Sequence, residues 1–128
     1  MLGLRVLVGV LGLLSVAMAA RIWVDPSAAA AQMGLLVNGA LGQATLRADV
    51  AGLFAAIGGL SVFGAAKGDG RWLLAPLCLV VAALAGRLLN LVLAGFTVEQ
   101  APPILVEVLI VLILGAAFRA LKPAGTTP

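Results

Sequence analysis

At 128 residues, with 63% hydrophobic and 10% charged side chains and a mean hydropathy of +1.22, this chain carries too little polar surface to cover itself in water. Its formal net charge of +3 comes from basic residues scattered along the chain, which argues against a nucleic-acid partner. A single cysteine, Cys78, and no histidine exclude an intrachain disulfide, His-ligated haem, a Cys/His zinc site and a Ser-His-Asp triad.

The apolar runs are continuous rather than alternating, so the expected fold class is all-α, an integral membrane four-helix bundle in a single domain over 1–121. The first span is predicted over about 2–20, with Arg5 before its core and Arg21, Trp23 and Asp25 after it. Its basic start, apolar core and Ala17-Met18-Ala19 also have the pattern of a cleavable signal, but the core is long for one and a retained helix is expected. Asp25-Pro26-Ser27 then gives a helix start and Asn38-Gly39 a stop, which predicts a short amphipathic helix over about 27–37 lying along the membrane surface. An alternative continues this helix to Leu46 as a fifth crossing, against which stand Gln32, Asn38, Gln43 and two glycines.

The second span is predicted over about 44–66, followed by the charged glycine turn Lys67-Gly68-Asp69-Gly70-Arg71. A third follows over about 72–93, then a loop ending in Pro102-Pro103 and a fourth span over about 104–120. Residues 122–128 read as a flexible tail. Arg5, Lys67, Arg71, Arg119 and Lys122 fall on one side and only Arg21 on the other, so both termini are expected in the cytoplasm. Trp23 and Trp72 read as interfacial anchors, one per leaflet, and Cys78 as a small buried apolar residue. Small residues (Gly9, Gly12, Ser15 and Ala19; Ala51, Gly52, Ala55, Ala56, Gly58 and Gly59; Ala82, Ala83 and Gly86) predict close packing between helices of this chain.

Five polar residues interrupt the apolar spans: Arg47, Asp49, Arg87, Asn90 and Glu107. Counted at the helical rise, Arg87 falls roughly 8 Å beneath the outer boundary, with Asn90 one turn nearer to it on the same face. Glu107 and Asp49 come about 5 and 7 Å below the same boundary. Their charges cancel in pairs, and ionised groups at such depth cost least when they face one another, so a polar cluster in the outer third is expected, with Arg87 opposite Glu107. Arg47 and Asp49 are about 200° apart on a regular helix, so only one of them is expected to point inward.

The cluster motifs resemble an uncharacterised bacterial membrane family catalogued as domain of unknown function 4345. Carrying the resemblance are Asp25-Pro26, Leu46-Arg47-Ala48-Asp49 with Gly52, Gly86-Arg87-Leu88-Leu89-Asn90 and Leu105-Val106-Glu107, which together cover nearly the whole chain. The family pattern often has an aromatic residue and a Gly-Gly pair soon after the first arginine, where this chain has Asp49, Val50 and a single Gly52. The resemblance implies a four-helix bacterial inner-membrane protein with grouped Arg, Arg and Glu positions, and it supplies no activity.

The cluster is expected to bind a small or lipidic ligand at the outer leaflet, and its bland counterpart is a salt-bridged network that only holds the helices in register. Other readings are an accessory or assembly subunit of a larger membrane complex and a proton-coupled small transporter. The last is an enzyme on a lipophilic substrate, with Glu107 or Asp49 as acid or base and Arg87 as anion clamp. Expected partners are membrane lipid, a small-molecule ligand, and a homodimer or larger membrane complex. Carboxylates beside two arginines make a poor cation site, so no metal and no cofactor is expected.

Overall fold

The computed structural model describes residues 1–121, and the tail expected at 122–128 lies outside the described residues. The described chain is all-helical, with four long apolar helices and a short one between the first and second. Helix α1 runs Leu2–Val24, α2 Pro26–Gln32, α3 Gly39–Thr45, α4 Ala51–Lys67, α5 Leu74–Ala94 and α6 Ala101–Ala120. A π turn, Leu46–Val50, joins α3 to α4 without a break, so the second span is one helical unit of 29 residues from Gly39 to Lys67. Single 3-10 turns, Gly70–Leu73 and Val98–Gln100, lead into α5 and α6. Four spans that are long and apolar enough to cross a bilayer define a small multi-pass membrane protein.

Four boundaries differ from expectation: the first span runs on to Val24 instead of ending at about 20, and three others shift for local reasons. The helix expected over 27–37 is only Pro26–Gln32. Its start is as predicted: the Asp25 carboxylate accepts from the Ala28 amide at 3.0 Å and Pro26 occupies the first turn. Its end comes early because Gly34 takes the left-handed region at φ 72° while the Leu35 amide donates back to the Ala30 carbonyl. Asn38-Gly39 is therefore a start and not a stop, since Asn38 is the extended residue before α3 and Gly39, at φ 63°, turns the chain into it. The second span begins at Gly39 instead of about 44, and Pro102-Pro103 stand inside the first turn of α6.

Two apolar clusters hold the bundle, one near each end. The first joins Val8 of α1, Ala65 of α4, Leu73, Val80 of α5, and Leu114, Ala117 and Leu121, so it ties all four spans together. At that end Arg5 donates from Nε to the Ala65 carbonyl and from Nη2 to the Ala66 carbonyl, both at 2.8 Å, capping the C-terminus of α4 with a cation. The Gly70 amide donates to the Leu121 carbonyl at 2.9 Å, bringing the N-terminus of α1, the 68–70 turn and the end of α6 to one end of the molecule. The second cluster consists of Ala19, Ile22, Ala29, Ala30, Leu46 and Ala51, all from α1, α2, the π turn and α4, with nothing from α5 or α6.

Between the clusters α1 and α4 lie backbone to backbone. A Cβ on Gly12 would stand 2.8 Å from the Gly58 carbonyl oxygen, and one on Gly58 would stand 2.5 Å from that of Gly12. Nearby, the Ser15 hydroxyl donates across the seam to the Phe54 carbonyl at 2.8 Å. Gly52, Gly59 and Gly86, in contrast, face open space, so those small residues do not mediate close approach within the chain. Cys78 is exposed on the outer face of α5, not buried, because it lies off the narrow stripe of Pro76 and Val80 that meets the core.

Candidate polar site between the third and fourth spans

Helices α5 and α6 contribute buried residues only toward the end that carries the 68–70 turn. The buried residues of α5, Pro76 and Val80, both lie in its first two turns, and those of α6, Leu114 and Ala117, in its second half. Beyond them neither helix has a buried residue. In that stretch lies a cavity of about 290 Å³, lined by Ala83, Gly86, Arg87 and Asn90 of α5, Gln100 of the preceding 3-10 turn, and Ile104 and Glu107 of α6.

Helical spacing explains the lining. Ala83, Gly86, Arg87 and Asn90 recur at three- and four-residue intervals and so share a face of α5, as Ile104 and Glu107 do on α6. Arg87 lies seven residues before the end of α5 and Glu107 six residues after the start of α6, which brings both about 10 Å below their helix ends. The Arg87 Nε donates to Glu107 Oε1 at 2.7 Å, with the two side chains 46% and 15% exposed. This is a charge-assisted contact, short and directional.

That contact leaves polar capacity unused. Glu107 Oε2 and Gln100 Oε1 are both buried and find no hydrogen-bond partner among the described residues. No contact to the Arg87 Nη1 or Nη2 groups is made among the described residues, so at least two donor-bearing nitrogens remain available beside two acceptors. Gln100 is the lining residue that the sequence pattern does not single out: a glutamine next to Glu99 in a loop reads as solvated, and it is the 3-10 turn at the head of α6 that brings it to the cavity wall. Its one signal was position, four residues before Ile104 and thus one helical turn above it.

Of the five residues singled out in the spans, the structure brings Arg87, Asn90 and Glu107 together and leaves Arg47 and Asp49 off the cavity wall. Arg47 is engaged elsewhere, donating from Nε to the Trp23 carbonyl at 3.0 Å while the Trp23 indole N–H donates to the Arg47 carbonyl at 2.9 Å. Asp49 is exposed on the π turn. The longer second span also alters their depth: eight and ten residues from Gly39, they stand about 12 and 15 Å along it. Trp23 therefore ties α1 to the π turn, while Trp72, at the other end, packs edge-on against Phe63 with ring centroids 4.7 Å apart.

Among the described residues no group of three or more His, Cys, Asp or Glu side chains is gathered to hold a metal ion. The fold and the cavity together define a small multi-pass membrane protein with an open polar pocket between its last two spans. No protein-family model, no curated protein and no solved structure matches the chain.

Proposed function

We propose that this protein binds a small or lipidic polar ligand in the α5–α6 cavity, with Arg87, Asn90, Gln100 and Glu107 as the contacting side chains. The observation that carries the reading is the pair of buried, unpartnered acceptors, Glu107 Oε2 and Gln100 Oε1, in a cavity that also holds Arg87. A network serving only to fix helix register would gain most by satisfying its own groups, because an unpaired buried acceptor costs about 1–3 kcal/mol. At about 290 Å³ the cavity lies at the small end of the roughly 300–1,000 Å³ typical of ligand pockets, which suits a headgroup or small polar molecule.

The setting we propose is a bacterial inner membrane with both termini cytoplasmic, which places the cavity toward the outer leaflet. Support comes from the bias of Arg5, Lys67, Arg71 and Arg119 to one end and from the resemblance of the Arg47, Arg87 and Glu107 motifs to the four-helix bacterial family. A C-terminal reporter that works only in the cytoplasm tests the orientation.

Native mass spectrometry of protein gently extracted from its own membrane tests the function, comparing wild type with Arg87→Ala at matched folding. A bound small molecule or lipid present in wild type and absent in the variant is the expected result. A larger co-purifying protein with no small ligand would favour an accessory subunit, and a bare chain in both samples would reduce the cluster to a structural network.

A further inference from the structure

Resting on that reading, we infer that the cavity is built for a zwitterionic headgroup, a primary ammonium beside a phosphate, of the kind carried by phosphatidylethanolamine. The ammonium would donate to Glu107 Oε2 and Gln100 Oε1, and the phosphate would accept from the Nη groups of Arg87.

Charge and donor counting select this chemistry. Arg87 and Glu107 balance each other at 2.7 Å, so the site is neutral and offers no net attraction to a bare anion or a bare cation. Its unused capacity is nevertheless two-sided: buried acceptors from Glu107 and Gln100, and guanidinium donors from Arg87. Only a ligand bearing both donors and an acceptor satisfies the two sides at once. An ammonium has three N–H donors and opposes an ionised carboxylate, whereas a quaternary trimethylammonium has none and would leave both buried oxygens unpaired. Phosphate oxygens match the planar guanidinium fork. Asn90, on the same face of α5 as Arg87, adds an amide that can serve either half. Around the cavity, Leu89, Leu105 and Leu109 are exposed, surfaces that acyl chains would cover in a bilayer.

Gly86 provides a blocking variant that leaves the ion pair intact. It lines the cavity, and a Cβ added there meets nothing within 4 Å. In Gly86→Leu the new side chain can therefore enter the cavity without displacing backbone.

The full chain, stripped of lipid in mild detergent, is offered an equimolar mixture of phosphatidylethanolamine, phosphatidylcholine and phosphatidylglycerol with identical acyl chains, and the retained lipid is counted by native mass spectrometry. Wild type is expected to retain phosphatidylethanolamine over each competitor by at least about tenfold, the lower end for a hydrogen bond to a charged group. Glu107→Gln is expected to bring that preference near parity, and Gly86→Leu to abolish retention with an unchanged melting temperature. Displacement by excess free phosphoethanolamine would identify a soluble headgroup as sufficient; resistance to it would identify the whole lipid as the ligand. Equal retention of phosphatidylcholine, preference for phosphatidylglycerol, or full retention in Gly86→Leu would overturn the inference. If wild type carries some other molecule that Gly86→Leu loses, the headgroup assignment falls while cavity binding stands; if nothing is retained from the mixture or from native membranes, both fall.

Discussion

Along the α1–α4 seam, two glycines let opposing backbones touch and a serine bridges them, while along the α5–α6 pair small residues front an open polar cavity. Both pairs use the same residue types, yet the first uses them to exclude everything and the second leaves room. The difference follows from what lies behind each pair. Helices α1 and α4 are gripped at both ends by apolar clusters, whereas α5 and α6 join only the cluster nearest the 68–70 turn. Anchored at one end, the second pair is free to leave space at the other without loosening the bundle.

The sharpest way to break this comparison is the same substitution at neighbouring glycines. Gly58→Ala drives a Cβ to 2.5 Å from the Gly12 carbonyl oxygen and 2.7 Å from the Val16 amide, so α1 and α4 must separate. Overpacking of this kind costs about 1–3 kcal/mol, and here the upper end or more is expected because both obstacles are backbone. Gly59→Ala meets nothing within 4 Å and is expected to be neutral or stabilising by roughly 0.5–1 kcal/mol through helix propensity. Unfolding in mild detergent measures both, and a similar loss in the two variants would mean that the seam is not interlocked.

On the other pair, Arg87→Ala strips Glu107 of the one side-chain hydrogen bond it makes among the described residues and leaves both carboxylate oxygens unsatisfied. The expected loss is about 1–3 kcal/mol, below that of a fully buried pair because Arg87 is 46% exposed. Adding Glu107→Ala should recover much of that loss, and the double-mutant cycle gives the coupling energy. Strict additivity would mean that the two side chains do not interact in the membrane.

How far such features can be read in advance depends on whether their cause is local. The four spans follow from unbroken apolar runs, and the facing of Arg87 and Glu107 follows from equal depth on adjacent helices, a distance that residue counting measures. Counting also gives direction around a helix, but only where the helix is regular, and Arg47 and Asp49 lie in a stretch that is not. The π turn, whose hallmark is the Ala51 amide reaching back to the Leu46 carbonyl, widens the helix at these two residues. One residue before that turn, the Thr45 hydroxyl bonds back to the Leu41 carbonyl, a contact that bends helices and resembles many harmless ones in sequence. Asn38-Gly39 was legible as a boundary but not as a start, since the same dipeptide serves either end, and Gly34 had already closed the preceding helix.

The Trp23–Arg47 exchange offers a smaller and more local test of the gripped end. Trp23→Phe removes the indole donor to the Arg47 carbonyl while keeping an aromatic ring, at an expected cost of about 0.5–1.5 kcal/mol. Faster hydrogen exchange should appear at the amides of 46–51, with little change in global unfolding. Acceleration spread through α5 and α6 instead would show that the two pairs are not energetically separate.

The smallest effect is expected where the two pairs are joined. Asp69 accepts hydrogen bonds from the Arg71 amide and, at 2.9 Å, from its Nη2, and the Arg71 side chain holds the carboxyl below its ordinary value of 3.8. A carboxyl with a depressed folded pKa stabilises the fold fully above its unfolded value, and that contribution is lost as pH falls through the folded one. The turn should therefore keep its full hold at neutral pH and weaken only below about pH 4. Because the Arg71 side chain is 73% exposed, the change is modest and screened by salt. Other carboxylates titrate in the same window, so the informative quantity is the difference between wild type and Asp69→Asn in unfolding midpoint between pH 7 and pH 3, which should shrink as the acid limit is approached. A difference that grows with acidity would reverse the sign and show that the Asp69 contact with Arg71 does not hold the joint between the interlocked pair and the open one.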